Sequence, residues 1–351
     1  MSKILSFAEA IHEAMHEAMA FDENVITYGL GVNDPKSIFD TTKGLESKFG
    51  SNRVFDMPTS ENAMTGVAIG AALNGIRVVM VHQRLDFFLL AMDQLVNNAA
   101  KWHYMFGANN RVPITIRLIL GRGWGQGPTH SQSLHAWFAH IPGLKVVIPT
   151  SVADAKGLLL SSIFDNNPVL FLEHRWLYNL KGEIPSSSYR VPIGKALKIR
   201  SGILCTVVSM SYMTIEAIHA IDFLAECGFK CDLIDLRTVR PIDWDTIFKS
   251  VQETGRLLVL DTGHTTGSVA GEIIAKVSIE CWSHLRSAPQ RIAMPDYPEG
   301  SSPALTERYH PNSKDIINMI SKILEIDISM TLFKPRKGPH DIPGDWFNGP
   351  F

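Results

Sequence analysis

Strand-like and helix-like stretches alternate along almost the whole of this 351-residue chain. No other feature narrows the fold as much, because such alternation calls for parallel strands joined by crossover helices that cover the sheet. In the first half, Phe7 to Ala20 has helical periodicity and Val25 to Tyr28 reads as a short strand. Val54 and Phe55 make a second extended piece. Glu61 to Leu73 reads as a helix lined with Ala63, Gly66, Ala68, Gly70, Ala71 and Ala72, small residues that permit close packing against another backbone. Ile76 to Val81 is a buried strand with His82 after it, and Phe88 to Met105 one long helix. Strands at Val112 to Ile119, Leu144 to Ile148 and Val169 to Glu173, with a helix at Val152 to Phe164, complete the first set.

Prolines and serines cluster between Gly182 and Pro192, a linker composition, and beyond them the pattern restarts. Leu204 to Ser209, Lys230 to Leu236 and Leu257 to Asp261 read as strands. Met213 to Cys227, a segment capped by Asp243, Val269 to Cys281 and Ile316 to Leu324 read as helices. The expectation is an α/β protein of two parallel-sheet sandwich domains, residues 1–185 and 186–330. Residues 331–351 form an extended tail whose Trp346, Phe347 and Phe351 need a surface to pack on.

The segment after the Ile114-to-Ile119 strand, Gly121-Arg122-Gly123-Trp124-Gly125-Gln126-Gly127-Pro128-Thr129-His130-Ser131-Gln132-Ser133, is the densest in chemical signals. Alternate glycines admit positive φ and close approach by another molecule. His130 then falls at the carboxyl end of a strand, where α/β proteins bind ligands. It is either an active-site histidine or an idle one on a surface loop. Glu61 opens the small-residue helix after Thr59-Ser60. It is either a first-turn acid favoured by the helix dipole or a partly buried carboxylate able to exchange a proton with a ring nitrogen of a heterocycle. In His82-Gln83-Arg84-Leu85-Asp86-Phe87-Phe88, an aromatic after a parallel strand serves either the core or a flat ligand. His135 and His140 lack the i, i+4 metal spacing and read as packing or surface residues. Neither phosphate-loop signature nor a G-x-S-x-G elbow occurs.

The net charge of −2 argues against a nucleic-acid partner, and no apolar run is long enough to span a bilayer. The N-terminus enters an amphipathic helix without the features of a signal peptide. Cys205, Cys227, Cys231 and Cys281 fit no zinc spacing and sit in largely apolar contexts. Buried free thiols and a cytoplasmic location are expected.

These pieces, in this order, resemble the β subunit of thiamine-diphosphate-dependent 2-oxo acid dehydrogenases, the first components of the pyruvate, branched-chain and acetoin complexes. The likeness runs from about Ser6 to Leu324. It includes Thr42 to Gly50, Arg53-Val54, Pro58 to Gly66, Ala91-Met92-Asp93-Gln94-Leu95-Val96-Asn97 and Ala99-Ala100-Lys101. It continues through His130-Ser131-Gln132-Ser133, Pro142 to Val147, Asp165-Asn166-Asn167-Pro168, Asp235-Leu236-Arg237-Thr238, Arg240-Pro241 and Thr254-Gly255-Arg256. It implies a pyrimidine-binding transketolase-like domain followed by a transketolase C-terminal-like domain. The cofactor would be shared with an α subunit that holds the diphosphate through Mg²⁺ on a Gly-Asp-Gly motif, absent from this chain. By the same resemblance Glu61 bonds the pyrimidine nitrogen, Phe87 stacks on the ring and Gln83 lies beside it. His130 handles protons near the substrate and assists transfer to lipoamide. A potassium ion at Thr115, Asp165 and Asn167 is also implied, against an ordinary Asp-Asn-Asn-Pro turn.

The implied assembly is an α2β2 tetramer with a β–β homodimer contact, acting on a small 2-oxo acid and serving a lipoyl acyltransferase. Two rivals remain: a split transketolase-like ketol transferase subunit, and a non-catalytic assembly or regulatory subunit. The chain departs from the family at Leu30-Gly31 and Lys36-Ser37, where an acidic pair followed by a Gly-Gly is usual, and at His82, Gln83, Arg84 and Asp86. Arg84, Arg122 and Trp124 are expected at the substrate entrance, where extra arginine suits a more anionic substrate. The tail is outside the common core and is expected to dock on a partner subunit.

Overall fold

The computed structural model describes residues 2–34, 39–122, 125–336, 340–344 and 346–347. Lys36, Ser37, Gly123, Trp124 and Phe351, all invoked above, lie outside the described residues, as do parts of the 331–351 tail. The first eight strands are β1 (Ser2–Ser6), β2 (Val25–Gly29), β3 (Val54–Asp56), β4 (Arg77–His82), β5 (Ile114–Leu120), β6 (Lys145–Val147), β7 (Val169–His174) and β8 (Lys181–Pro185). Six more follow: β9 (Leu197–Arg200), β10 (Thr206–Ser209), β11 (Asp232–Asp235), β12 (Thr238–Arg240), β13 (Leu257–His264) and β14 (Gln290–Met294).

Among the described residues these strands make a seven-stranded sheet, β12-β6-β7-β5-β4-β2-β3, and a five-stranded sheet, β14-β13-β10-β11-β9. Each is parallel except for one antiparallel edge strand, β12 on the first and β9 on the second. β1 and β8 pair antiparallel, Ser2 opposite Pro185, and tie the start of the chain to the end of the first run of strands. The sheets are therefore mixed at their edges, where the sequence pattern implied parallel strands throughout. β12 comes from the second half of the chain but completes the first sheet.

The helices bury the stripes their sequences prescribe. Phe7–Phe21 starts with a capping box, Ser6 accepting from Glu9 N while Glu9 accepts from Ser6 N. It buries Phe7, Ala10, Ile11, Ala14, Met15, Ala18 and Met19, a spacing of three and four. That stripe and the Val152–Ile163 helix cover one face of the first sheet. Lys156, buried on that helix, reaches Glu13 at 2.6 Å and Glu17 at 2.9 Å. The other face carries a core that runs on without a break into the second sheet, from Met80, Leu118 and Phe138 to Val208, Ile234, Leu236 and Ile247. Tyr212–Glu226 and Ser313–Leu324 cover the far side of the second sheet.

The long helix read from Phe88 to Met105 is helical but not uniform. An α-turn (Leu85–Phe88), a 3₁₀ turn (Leu89–Ala91), a π-helical stretch (Gln94–Ala99) and a last α-helix (Ala100–Met105) follow one another. Asn98 donates to Gln94 and Asn97 to Asp93, side-chain bonds that support the wider turn. Three of the four cysteines are buried, as expected, whereas Cys227 is exposed after its helix; all four are free. Among the described residues no helix is long and apolar enough to cross a membrane.

Candidate functional site

β3, β4 and β5 are near neighbours in one parallel array, so their carboxyl ends lie at one edge of the sheet. Glu61 follows β3, Phe87 follows β4 and His130 follows β5. Phe87 meets His130 edge to face, with ring centroids 5.2 Å apart and planes at 86°. Phe87 keeps 37% of its surface exposed. His130 is half-buried, and its Nδ1 lies 3.0 Å from Thr129 Oγ1.

Glu61 is only 5% exposed, and among the described residues nothing donates to its carboxylate. Its backbone oxygen accepts from Thr65 at 2.8 Å, which leaves the side chain free. A first-turn acid acting as a cap would accept from the helix N–H groups, and Glu61 does not. Gln83 is exposed at the rim of the β4 loop. A cavity of about 480 Å³ is lined by Pro128, Ser131, Gln132 and Ser133 of the His130 loop, and one of about 1060 Å³ lies elsewhere; neither is lined by Glu61, Phe87 or His130. The three residues thus edge an open surface.

A clamp of side chains sets the loop that carries His130. Asp86 Oδ1 accepts from Gln132 Nε2 at 2.8 Å, and Arg84 donates to Gly121 O at 3.1 Å and to Gln126 Oε1. Burial pushes the Asp86 carboxyl up, against the pull of Gln132 and Arg84. Arg122 is buried and donates to Glu299 Oε1 at 2.6 Å, Gly300 O at 3.0 Å and Asp341 Oδ2 at 2.9 Å. The expectation that Arg84 and Arg122 face an anionic substrate is therefore corrected: both guanidinium groups are spent on the protein itself. Gly121 has φ of +76°, and a Cβ there would sit 2.5 Å from His174 Nε2, so the sharp turn out of β5 requires glycine. Burial holds His174 neutral, its pKa lowered to about 3.

Sequence reasoning singled out Arg84, Asp86 and Arg122 but did not see this clamp. His135, read as packing, is fully buried and joins the second sheet through Asp261 Oδ1 at 2.8 Å. Burial raises the Asp261 carboxyl, but His135 and the N–H groups of Gly263 and Ala270 outweigh it and hold it below its ordinary value. His140 is exposed.

The cation residues are placed apart from this edge. Thr115 is buried on β5 opposite Val169, while Asp165 and Asn167 form the turn before β7. Asp165 accepts from Asn167 N at 2.9 Å and pairs with Lys145. A monovalent ion there has to share the Asp165 carboxylate with an ammonium group already in place. Among the described residues no three His, Cys, Asp or Glu side chains converge as a metal site.

Two family models match the chain: "Transketolase, pyrimidine binding domain" over residues 3–181 and "Transketolase, C-terminal domain" over residues 194–316. The chain is 38% identical over 335 residues to the "Acetoin:2,6-dichlorophenolindophenol oxidoreductase subunit beta" of Cupriavidus necator, covering 93% of this chain and 99% of that one. It is 36% identical over 324 residues to the "Pyruvate dehydrogenase E1 component subunit beta" of Bacillus subtilis, covering 92% and 99%. A solved structure titled "Split gene transketolase, inactive beta4 tetramer" superposes with a TM-score of 0.73 at 19% identity, over 92% of this chain and 99% of that one. That last likeness concerns the fold. With the two domain matches and relatives of this identity along nearly its full length, the chain belongs to the transketolase-like family of 2-oxo acid dehydrogenase β subunits.

Proposed function

We propose that this chain is the β half of a thiamine-diphosphate-dependent 2-oxo acid dehydrogenase, completed by a separate α subunit in an α2β2 assembly. The observation that carries the reading is the unpaired, nearly buried Glu61 at the same strand-end edge as the Phe87–His130 pair. A carboxylate at an open edge that takes no hydrogen bond within its own chain is available to a group that arrives later. An aminopyrimidine fits: it offers a ring nitrogen to the carboxylate and a flat face to an aromatic. Thiamine diphosphate, when bound, supplies a nucleophilic carbon and an electron sink for loss of CO₂.

The chain's own residues then have distinct tasks. Glu61 exchanges a proton with the pyrimidine ring nitrogen. Phe87 and Gln83 border the ring. Thr129 engages His130 Nδ1, which leaves Nε2 to hold or move a proton at the substrate oxygen and to receive a lipoyl acceptor. The diphosphate and its Mg²⁺ fall to the α subunit. Free thiols at the four cysteines suit the reducing cytoplasm.

The test is CO₂ release from a panel of 2-oxo acids by the chain assembled with its α partner, Mg²⁺ and thiamine diphosphate. Glu61→Gln is expected to lower kcat about 10²- to 10⁴-fold. It should leave the melting temperature of the isolated chain unchanged, because no partner inside the chain is lost. His130→Ala should slow acyl transfer. Turnover of ketose donors in place of 2-oxo acids would replace this reading with a ketol transferase. Bound cofactor without any turnover would indicate a non-catalytic subunit.

A further inference from the structure

Both family matches stop at or before residue 316. Past the Ser313–Leu324 helix, described residues of the C-terminal segment touch elements of both domains. Trp346 Nε1 donates to Trp176 O at 2.9 Å, just after β7 of the first sheet. Arg336 pairs with Glu216 at 3.1 Å on the second-domain helix, and its guanidinium lies 4.6 Å from the Trp346 ring centre. His340 Nε2 donates to Pro303 O at 2.9 Å. Between these anchors Asp341, 1% exposed, accepts from Arg122 Nη2 at 2.9 Å.

Arg122 stands at the root of the loop that carries His130. Gly121, Gly125 and Gly127 in that loop all have positive φ, so the backbone there has little stiffness of its own. Asp86 and Arg84 hold the loop from the β4 side. From the other side it is held by Arg122, gripped by Glu299 of the second domain and Asp341 of the C-terminal segment. A buried guanidinium is held at a fixed angle when two carboxylates take separate nitrogens. Removal of one lets the group turn.

We propose that the C-terminal segment is an intramolecular strap and that Asp341 is a positioning residue: through Arg122 it sets the glycine-rich loop so that His130 faces the substrate. The inference rests on the role given to His130 above. It also gives the segment a role within its own chain, where the sequence alone suggested docking on a partner.

The experiment uses the assembled enzyme with α subunit, Mg²⁺ and thiamine diphosphate. Asp341→Asn and Trp346→Ala are compared with Asp341→Glu and His130→Ala. Four quantities are read: kcat, KM, the pH profile of kcat, and hydrogen–deuterium exchange at the cofactor's reactive carbon, which reports the Glu61 side alone. Misplacement of the loop by about 1 Å should lower kcat about 100-fold in both strap variants, with little change in KM. The pH profile of kcat should shift, and exchange should stay at the parent rate. Asp341→Glu should recover most of the loss. Parent-like kcat in both variants overturns the proposal. So does loss of exchange in step with kcat, or failure of both to assemble, since either makes the segment a general folding element. Full activity in His130→Ala would remove the His130 reading itself. Inactive His130→Ala beside normal Asp341→Asn would remove the strap alone.

Discussion

Charged and polar groups rarely lose water without gaining a partner, so the exceptions in a fold carry information. His82 is such an exception. His82 is 1% exposed at the end of β4, packs edge to face on Phe88 at 5.0 Å, and neither ring nitrogen has a hydrogen-bond partner. Burial lowers its pKa from 6.5 to about 4. Above pH 6.5 the ring is neutral in both folded and unfolded chains and adds no pH dependence. Below 6.5 the unfolded chain takes up a proton that the folded chain refuses until about pH 4, so stability falls as pH falls through that window. At pH 5 this one residue costs about 2 kcal/mol relative to pH 7.5. His82→Leu removes the liability and leaves no polar group unpaired. Urea unfolding of the two proteins should show the variant gaining about that much at pH 5 and little at pH 7.5. An equal difference at both pH values would contradict the assignment. His174 adds a second slope of the same sign, reaching to about pH 3, in both proteins.

Residue identity was most legible in the sequence where chemistry is local. Glu61, Phe87 and His130 each follow a strand within a few positions and carry family motifs, and the fold brings the last two into ring contact. Arg84 and Arg122 were misread because nothing near them in sequence reveals what they bind. Arg122 finds Glu299 and Asp341 at separations of 177 and 219 residues.

At the scale of elements, periodicity located nearly every strand and helix, and it failed where side-chain bonds reshaped a helix. The π-helical stretch Gln94–Ala99 has ordinary helical sequence, and its wider turn shows only in the structure. The small-residue helix Glu61–Leu73 shows the complementary case. Its composition promised close packing, yet a Cβ at Gly66 would meet only the Gln94 side chain, at 3.6 Å, and one at Gly70 would meet nothing within 4 Å. Ala63, Val67 and Gly70 are exposed. Close packing on this face therefore needs another chain. Gly70→Phe should leave the melting temperature of the isolated chain within about 1 °C, since helix propensity improves and nothing in the chain is struck. It should abolish or greatly weaken assembly with the α subunit or with a second copy, as read by sedimentation. Normal assembly would place the interface elsewhere.

For the molecule as a whole, the alternation of elements foretold two sheets but not how they are joined. A boundary near residue 185 is what proline and serine content suggests, and β8 does end at Pro185. The second half nonetheless returns to the first sheet: β12 pairs with β6, Thr238 opposite Val147, so the first sheet is incomplete without residues far past that point. The shared core runs from Met80 and Phe138 to Ile234, Val239 and Ile247, and the buried pair His135–Asp261 crosses the same seam. Short motifs cannot disclose this, because an edge strand of three residues has no periodicity to read. The joint has a thermodynamic consequence. Cutting after residue 185 strips the β6 edge of its partner and exposes apolar side chains that β12 and Trp244–Thr254 cover, at about 25 cal/mol for each Å² returned to water. The halves should therefore not melt independently. Scanning calorimetry of the full chain is expected to show one transition whose calorimetric and van't Hoff enthalpies agree, and a fragment of residues 1–185 should aggregate or melt without cooperativity. Two resolved transitions, or a fragment that unfolds cooperatively as a monomer, would mean that β12 merely rests on the first sheet, and Thr238 and Arg240 could then be replaced without effect on its stability.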